Sequence, residues 1–254
     1  MMKPILVVGG TGLLGSSLVP LLRSLGPVVV HGRNAQADFN ADFADPLQAR
    51  YLLDRVQPAT VINLAGLTSV DTCEQQPHQA YLLNVKVVEC IIEWMRGQDA
   101  PPALIHVSTD QVYDSLGDSE ENDIRLTNIY ALSKYAGELA AMHMPAVVLR
   151  TNFFGPSRHP SRKSFSDWLL NNFRTGKEFT AFNDVVFSPL LMDTLSEAIE
   201  KVLCQPTVGV FNLGSNQGMS KADLAVAIAD AFDFYEISMQ RGTTADVELA
   251  AYRP

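Results

Sequence analysis

The chain has 254 residues, 47% of them hydrophobic, which is enough for one large core or for one domain with a smaller lobe. Its formal net charge of −9 argues against non-specific nucleic-acid binding, which depends on clustered lysines and arginines. The 3 widely spaced cysteines indicate free thiols in a reducing compartment rather than a disulfide or a metal site. No apolar run reaches the roughly 18 residues that span a bilayer, and the N-terminal segment is too short for a signal peptide. We therefore expect a cytoplasmic protein without a metal, a membrane or a nucleic acid as partner.

Short apolar runs alternate with longer segments of helical periodicity through the first 150 residues. Predicted strands cover residues 5–8, 28–30, 60–64, 103–107 and 146–149, and predicted helices cover residues 13–25, 46–56, 77–95 and 130–142. Strands separated by helices imply a parallel sheet with right-handed crossovers and helices on both faces. The sequence therefore predicts an α/β fold built on a doubly wound parallel sheet.

The alternation of apolar runs and helical segments becomes less regular after Gly155. Helices are predicted at residues 164–175, 192–203 and 220–232, and a strand at 208–213. We interpret this region as a small C-terminal lobe interleaved with the first domain. Residues 1–154 and about 183–213 are assigned to the first domain, and residues about 155–182 and 214–254 to the lobe.

A glycine-rich turn follows the first predicted strand and opens the first helix. Its candidate ligand-binding residues are Gly9, Thr11, Gly12, Leu13, Leu14 and Gly15. Glycines in this context allow a ligand's diphosphate to approach the backbone, and the helix N-terminus offers unpaired N–H groups with partial positive charge. A glycine-rich turn without a ligand is the alternative.

The end of the second strand bears on the choice of dinucleotide. An NAD site usually carries an acidic residue there, to bind the ribose 2′-hydroxyl, but this chain has Arg33 and no acid. Because a guanidinium matches a phosphate bidentately, NADP(H) is predicted to be preferred, with NAD(H) possible. A solvated loop arginine is the alternative. Asp42 and Phe43 are candidates for holding the adenine ring, although a turn-forming Asp beside a core Phe fits the sequence equally well.

Tyr130 and Lys134 lie four residues apart on a predicted helix and therefore share one face. A nearby positive charge lowers the pKa of a phenol from about 10, which makes a tyrosine usable for proton transfer near neutral pH. Such a pair is also common on solvated helices, so its value depends on the other motifs.

Taken with the glycine turn and the triplet Ser108-Thr109-Asp110, this pair resembles the extended short-chain dehydrogenase/reductase superfamily, and more closely the dTDP-4-dehydrorhamnose reductase family. The matching segments are residues 61–74, Asn84, residues 108–113, residues 130–138, residues 149–155, Ser188-Pro189 and Arg253-Pro254. The resemblance covers nearly the whole chain.

The resemblance implies a Rossmann-type fold and NADPH-dependent reduction of the 4-keto group of a nucleotide-linked 6-deoxysugar. Tyr130 would protonate the carbonyl oxygen, Lys134 would lower the tyrosine pKa and hold the nicotinamide ribose, and Thr109 would bind the reacting oxygen. Thr109 has the alternative of satisfying the end of its own strand. Implied cofactor-lining residues are Leu64, Ala65 and Gly66, and implied sugar-site residues are Val70, Asp71, Asp110, Asn152 and Phe153.

The chain departs from the family pattern at three places. Phe153 stands where the family often has Trp within reach of the sugar, and Tyr113 replaces the commoner Phe. The chain ends at Pro254, whereas family members usually continue for a few more turns, so we expect the floor of the sugar lobe to be incomplete.

Two other functions remain open. One is a nucleotide-sugar epimerase or dehydratase, although a dehydratase normally has Glu where this chain has Gln111. The other is a non-catalytic, NADP-binding regulatory subunit, as in the β subunit of methionine adenosyltransferase, which resembles the same family. A monomer or a homodimer is expected in either case.

Overall fold

The computed structural model describes residues 2–33, 36–115, 117–159, 162–205 and 207–254. A six-stranded parallel sheet forms its centre. Its strands are β1 (Ile5–Val8), β2 (Val28–His31), β3 (Thr60–Asn63), β4 (Ala103–Thr109), β5 (Ala146–Thr151) and β10 (Gly209–Leu213). They lie in the order β10-β5-β4-β3-β1-β2, so the chain reverses its direction of strand addition between β1 and β3.

Helices cover both faces of this sheet, which confirms the doubly wound fold. One face packs against α1 (Leu13–Arg23) and α8 (Met192–Cys204), and the other against α2 (Pro46–Val56), α5 (Val87–Arg96) and α6 (Ile129–Ala141). Successive strand residues point to opposite faces. Ile105 and Val107 accordingly join the first core, whereas Leu104 joins the second.

The predicted helix at residues 77–95 is part of a longer and less regular helical region. It comprises α4 (Pro77–Tyr81), a π-helical segment (Leu82–Lys86) and α5. A further helix, α3 (Val70–Gln75), precedes it and was not predicted, because six residues are too few to show helical periodicity. The π-helical segment contains the buried Asn84, and such segments frequently occur at functional sites.

A separate apolar core lies between α7 (Phe165–Thr175) and α9 (Lys221–Ala231). Three two-stranded pairs accompany it: β6 (Phe153–Phe154) with β9 (Leu190–Leu191), β7 (Phe179–Phe182) with β12 (Met239–Gly242), and β8 (Val186–Phe187) with β11 (Met219–Ser220). These short strands were not predicted, because they lack the continuous apolar, β-branched runs that mark the strands of the central sheet. The domain boundaries remain predictions. Within the described ranges, no helix is long and apolar enough to cross a bilayer.

Candidate active site

The predicted site residues gather at the carboxyl ends of the central strands, beside the reversal between β1 and β3. Open α/β sheets bind their ligands at this position. Gly9 follows β1 with φ +77°, and a Cβ at Gly9 would lie 2.7 Å from the Ala65 nitrogen. A Cβ at Gly15 would lie 2.1 Å from the Gly10 carbonyl oxygen. The turn is therefore packed too closely for side chains at these two glycines.

The N-terminus of α1 opens directly from this turn. Gly12 is the N-cap, and its carbonyl accepts from the Ser16 nitrogen. The first amide N–H groups of a helix have no carbonyl partner within the helix, and they form a suitable anion site. Leu14 is 5% exposed and packs into the core, so only its main chain is available to a ligand. A Cβ at Gly12 would lie 3.8 Å from Arg162 Nη1, which places a guanidinium beside the turn.

His31 connects the end of β2 to the glycine turn. Gly9 N donates to His31 Nδ1 at 3.4 Å, and His31 Nε2 lies 2.8 Å from the Ala41 carbonyl oxygen. Burial lowers the pKa of this imidazole. The imidazole ring lies 4.4 Å from the ring of Phe43, measured between centroids, and it supports the glycine turn by accepting from Gly9 N.

Asp42 and Phe43 fit the alternative of a turn-forming Asp beside a core Phe. Phe43 is 2% exposed within the main core, so its ring is not available to stack on an adenine. Asp42 Oδ1 accepts from the Ala44 nitrogen at 2.9 Å. Arg33 is exposed beyond β2, and a Cβ at Gly32 would lie 2.2 Å from Thr11 Oγ1. Asn34, the next residue, lies outside the described ranges.

The loop after β3 is held between β1 and α6. Leu64 N donates to the Val8 carbonyl at 2.8 Å, and Ala65 N donates to Asn63 Oδ1 at 3.1 Å. A Cβ at Gly66 would lie 3.8 Å from Lys134 Nζ. The loop therefore passes directly beside the predicted catalytic lysine.

Asn84 fixes the next part of this loop to α6. Its side chain accepts from Leu67 N at 2.7 Å and donates to the Leu67 carbonyl at 3.1 Å and to Ser133 Oγ at 2.9 Å. These bonds account for the burial of a polar side chain and set the distance between the loop and Lys134.

Tyr130, Lys134 and Thr109 are brought together at the end of β4, as their motifs predicted. The Asn128 side chain caps α6 by accepting from Ala131 N at 2.8 Å. Lys134 Nζ donates to the Val107 carbonyl at 2.8 Å. Burial lowers the pKa of the Lys134 ammonium to about 8.

The pKa of Tyr130 is raised, chiefly by burial and further by the carboxylate of Asp110, although a side-chain hydrogen bond with Thr109 opposes the shift. The predicted lowering of this pKa by Lys134 is therefore wrong for this structure, in which the ammonium binds the Val107 carbonyl. A tyrosine that stays protonated near neutral pH is suited to donate a proton.

The predicted sugar-site residues lie around this group. Asp110 Oδ1 accepts from Asn152 Nδ2 at 3.1 Å, and burial raises the Asp110 pKa. Val70 packs with Tyr130 in a small apolar cluster. Phe153, in β6, is half-buried against the sheet core.

Two further charged residues reach the site from the C-terminal part of the chain. Arg253 Nη2 lies 2.7 Å from Asp71 Oδ2, and the neighbouring Tyr252 carbonyl accepts from Asn128 Nδ2 at 3.0 Å. Lys221, at the first position of α9, interacts electrostatically with Asp110. The family match at Arg253-Pro254 included Arg253 without giving it a role. The sequence around Lys221 indicated only the start of a helix.

The RmlD substrate binding domain model matches residues 2–254 of this chain. The chain belongs to this family. A probable low-salt glycan biosynthesis reductase of Haloferax volcanii is 28% identical, with 98% of this chain and 86% of that protein covered. The dTDP-4-dehydrorhamnose reductase of Aggregatibacter actinomycetemcomitans is 29% identical, with 100% and 89% covered.

Solved structures agree with the family assignment. A hypothetical dTDP-4-dehydrorhamnose reductase from Sulfolobus tokodaii has a TM-score of 0.86 at 26% identity, covering 100% of this chain and 90% of that one. The dTDP-4-dehydrorhamnose reductase of Bacillus anthracis, solved in complex with NADP, has a TM-score of 0.87 at 22% identity, with 100% and 89% covered. At 22% identity, the likeness to the Bacillus anthracis structure shows the fold alone. In this chain, no group of His, Cys, Asp and Glu suited to binding a metal ion occurs among the described residues.

Proposed function

We propose that this protein reduces the 4-keto group of a nucleotide-linked 6-deoxysugar with NADPH. The observation that carries the proposal is the meeting of Tyr130, Thr109 and Lys134 beside the glycine turn at the carboxyl edge of the sheet. The reductase names of the relatives in Haloferax volcanii and Aggregatibacter actinomycetemcomitans support it. The NADP held by the Bacillus anthracis protein supports the choice of cofactor.

The residues around the turn fit a dinucleotide. A diphosphate would lie against the N–H groups at the start of α1, where the close packing of Gly9 and Gly15 leaves no side chain in the way. Gly66 and the ammonium of Lys134 would hold the nicotinamide ribose, with Leu64 and Ala65 lining the same wall. When bound, NADPH supplies the hydride for the reduction.

A ketone gains negative charge on its oxygen as it is reduced, so it needs a proton donor and fixed hydrogen bonds in a dry site. Tyr130 supplies the proton and Thr109 orients the oxygen; they are 7% and 3% exposed. Asp71, Asp110, Asn152, Val70 and Phe153 surround the sugar. Gln111 weighs against a dehydratase. The UDP-glucose 4-epimerase of Thermus thermophilus shares the fold, with a TM-score of 0.83 at 22% identity.

The proposal is tested by mixing purified protein with NADPH and a panel of dTDP- and GDP-linked 4-keto-6-deoxysugars. Loss of NADPH absorbance with at least one sugar is the expected result, and the product should be the corresponding alcohol. Measurable NADPH binding without oxidation by any sugar would instead support the regulatory-subunit alternative.

Arg33 is expected to determine the preference for NADPH, because a guanidinium forms charge-assisted bonds with a 2′-phosphate. Arg33→Ala should raise the Kd for NADPH about tenfold or more and leave the Kd for NADH nearly unchanged, both measured by fluorescence titration. Arg50→Ala, which removes an exposed guanidinium on α2, is the matched control. An equal weakening of both cofactors by Arg33→Ala would contradict this role.

The setting of the enzyme is also a proposal. We infer a cytoplasmic enzyme that acts as a monomer or a homodimer, without a nucleic acid or a membrane as partner. The net charge of −9 supports the exclusion of nucleic acid. Light scattering coupled to size-exclusion chromatography measures the oligomeric state directly.

A further inference from the structure

Lys221 is held in a fixed position at the start of α9. Ser220 caps this helix by accepting from Asp223 N, and Lys221 N donates to the Val185 carbonyl at 3.0 Å. The ammonium lies 3.3 Å from the ring centroid of Phe187 and 5.2 Å from that of Phe165. Cation–π contacts of this kind attract a desolvated ammonium, so the two rings hold the charge of the half-buried lysine in place.

The ammonium is linked to the predicted sugar site through Asp110. It interacts electrostatically with Asp110, the residue that follows Thr109 and binds Asn152. Among the described residues, Lys221 and Asp110 form no direct ion pair within 4.0 Å, and the lysine Nζ donates no hydrogen bond to another side chain or carbonyl in those same ranges. An ammonium has three donors, and leaving them unused in a half-buried position is unfavourable.

We propose that Lys221 is a sugar-binding residue, and that its ammonium and the Asp110 carboxylate together bind the hydroxyl group next to the reacting ketone. This proposal rests on the proposed function. A hydroxyl group donates one hydrogen bond and accepts others, so it matches a carboxylate on one side and an ammonium on the other. Burial lowers the pKa of Lys221 to about 8, with Asp110 opposing the shift, so the ammonium remains the main form at neutral pH.

The chemistry of the substrate class identifies this hydroxyl. In a 4-keto-6-deoxysugar the ketone carbon is bonded to C3, which carries a hydroxyl, and to C5, which carries the methyl group and the ring oxygen. Only the C3 hydroxyl is therefore adjacent to the ketone. Thr109 Oγ1 donates to Asp110 Oδ1 at 3.5 Å, so the carboxylate lies beside the proposed position of the reacting oxygen. Together with Lys221 it selects substrates that have this hydroxyl.

A diphosphate is the other group that an ammonium commonly binds. The electrostatic interaction between Lys221 and Asp110 argues against it, since a carboxylate near the ammonium would repel a second anion. The sugar ring, which is uncharged, experiences no such repulsion. Binding of dTDP without a sugar separates the two possibilities.

The test compares Lys221→Met with the wild-type protein on a dTDP-linked 4-keto-6-deoxysugar and on its 3-deoxy analogue. Loss of a hydrogen bond from a charged donor should raise KM and the calorimetric Kd for the hydroxylated sugar about tenfold to a hundredfold. The 3-deoxy analogue should change less than about threefold, and the Kd values for dTDP and NADPH should be unaltered. Lys177→Met, at an exposed position of the same lobe, is the matched control.

Equal losses for the two sugars, or a weakened Kd for dTDP, would overturn the assignment. Calorimetry keeps this test separate from the test of the proposed function. If none of the sugars supports NADPH oxidation by the wild-type protein, the proposed function fails. The difference in binding between the two sugars still decides the role of Lys221. Lys221→Gln, which keeps a donor without the charge, provides the same comparison if the Met variant does not fold.

Discussion

Replacing Tyr130 with Phe is expected to lower kcat/KM for the keto sugar by about 10²–10⁴-fold, the usual contribution of a positioned general acid. The change removes one oxygen from a side chain that is 7% exposed and leaves the aromatic packing against Val70 in place. The Kd for NADPH should remain close to the wild-type value, because the glycine turn and Lys134 are unchanged. Steady-state kinetics and a fluorescence titration measure the two quantities.

Tyr135→Phe is the matched control for this experiment. Tyr135 lies on the same helix, and its ring packs 5.9 Å from the guanidinium carbon of Arg150, away from the proposed ketone site. Turnover in this control should stay within about threefold of wild type. Unchanged turnover in Tyr130→Phe would contradict the mechanism, and a similar loss in both variants would indicate a general disturbance of α6.

Glu138→Gln is expected to have the largest effect on stability. Arg150 Nη2 lies 2.6 Å from Glu138 Oε2, and Arg150 Nε donates to both carboxylate oxygens at 3.1 and 3.0 Å. Ser108 Oγ also donates to Glu138. The two charged side chains are 3% and 2% exposed, so the pair is buried between α6 and β5.

Removing one partner of a buried ion pair leaves an uncompensated charge, which costs about 3–5 kcal/mol. For a chain of this size the Tm should fall by about 6–20 °C. The remaining bonds of Arg150, from Nη1 to the Tyr113 hydroxyl at 2.7 Å and to the Glu121 carbonyl at 2.6 Å, supply no negative charge. Calorimetry or urea unfolding gives the difference in the free energy of unfolding.

The control for Glu138→Gln is Arg241→Gln, which breaks an ion pair with Asp223. The side chains of Arg241 and Asp223 are 46% and 53% exposed. Exposed pairs contribute less than about 1 kcal/mol, so its Tm should stay near the wild-type value. A free energy of unfolding for Glu138→Gln within about 1 kcal/mol of wild type would mean that the neutral amide satisfies Arg150, and that the charge of Glu138 does not stabilise the fold.

Local patterns were sufficient to predict the main domain. Alternating apolar runs and helical periodicity predicted all six strands of the central sheet and its major helices, because strand and helix each impose a short-range period on the chain. The glycine turn and the spacing of Tyr130 and Lys134 are likewise local. α3 escaped prediction because six residues contain too little helical periodicity, and the short strands outside the central sheet escaped because they lack its continuous apolar, β-branched runs.

Burial and contacts between distant segments were decided by the tertiary structure. The spacing of Tyr130 and Lys134 predicted a shared helix face, but burial raises the tyrosine pKa and the Val107 carbonyl binds the lysine. Phe43 has its ring in the core rather than at a ligand. Lys221 and Asp110 interact electrostatically although they are far apart in the chain. The sequence by itself thus determined which chemical groups the site contains, since motifs are local, whereas solvation and charge contacts depend on residues far apart in the chain.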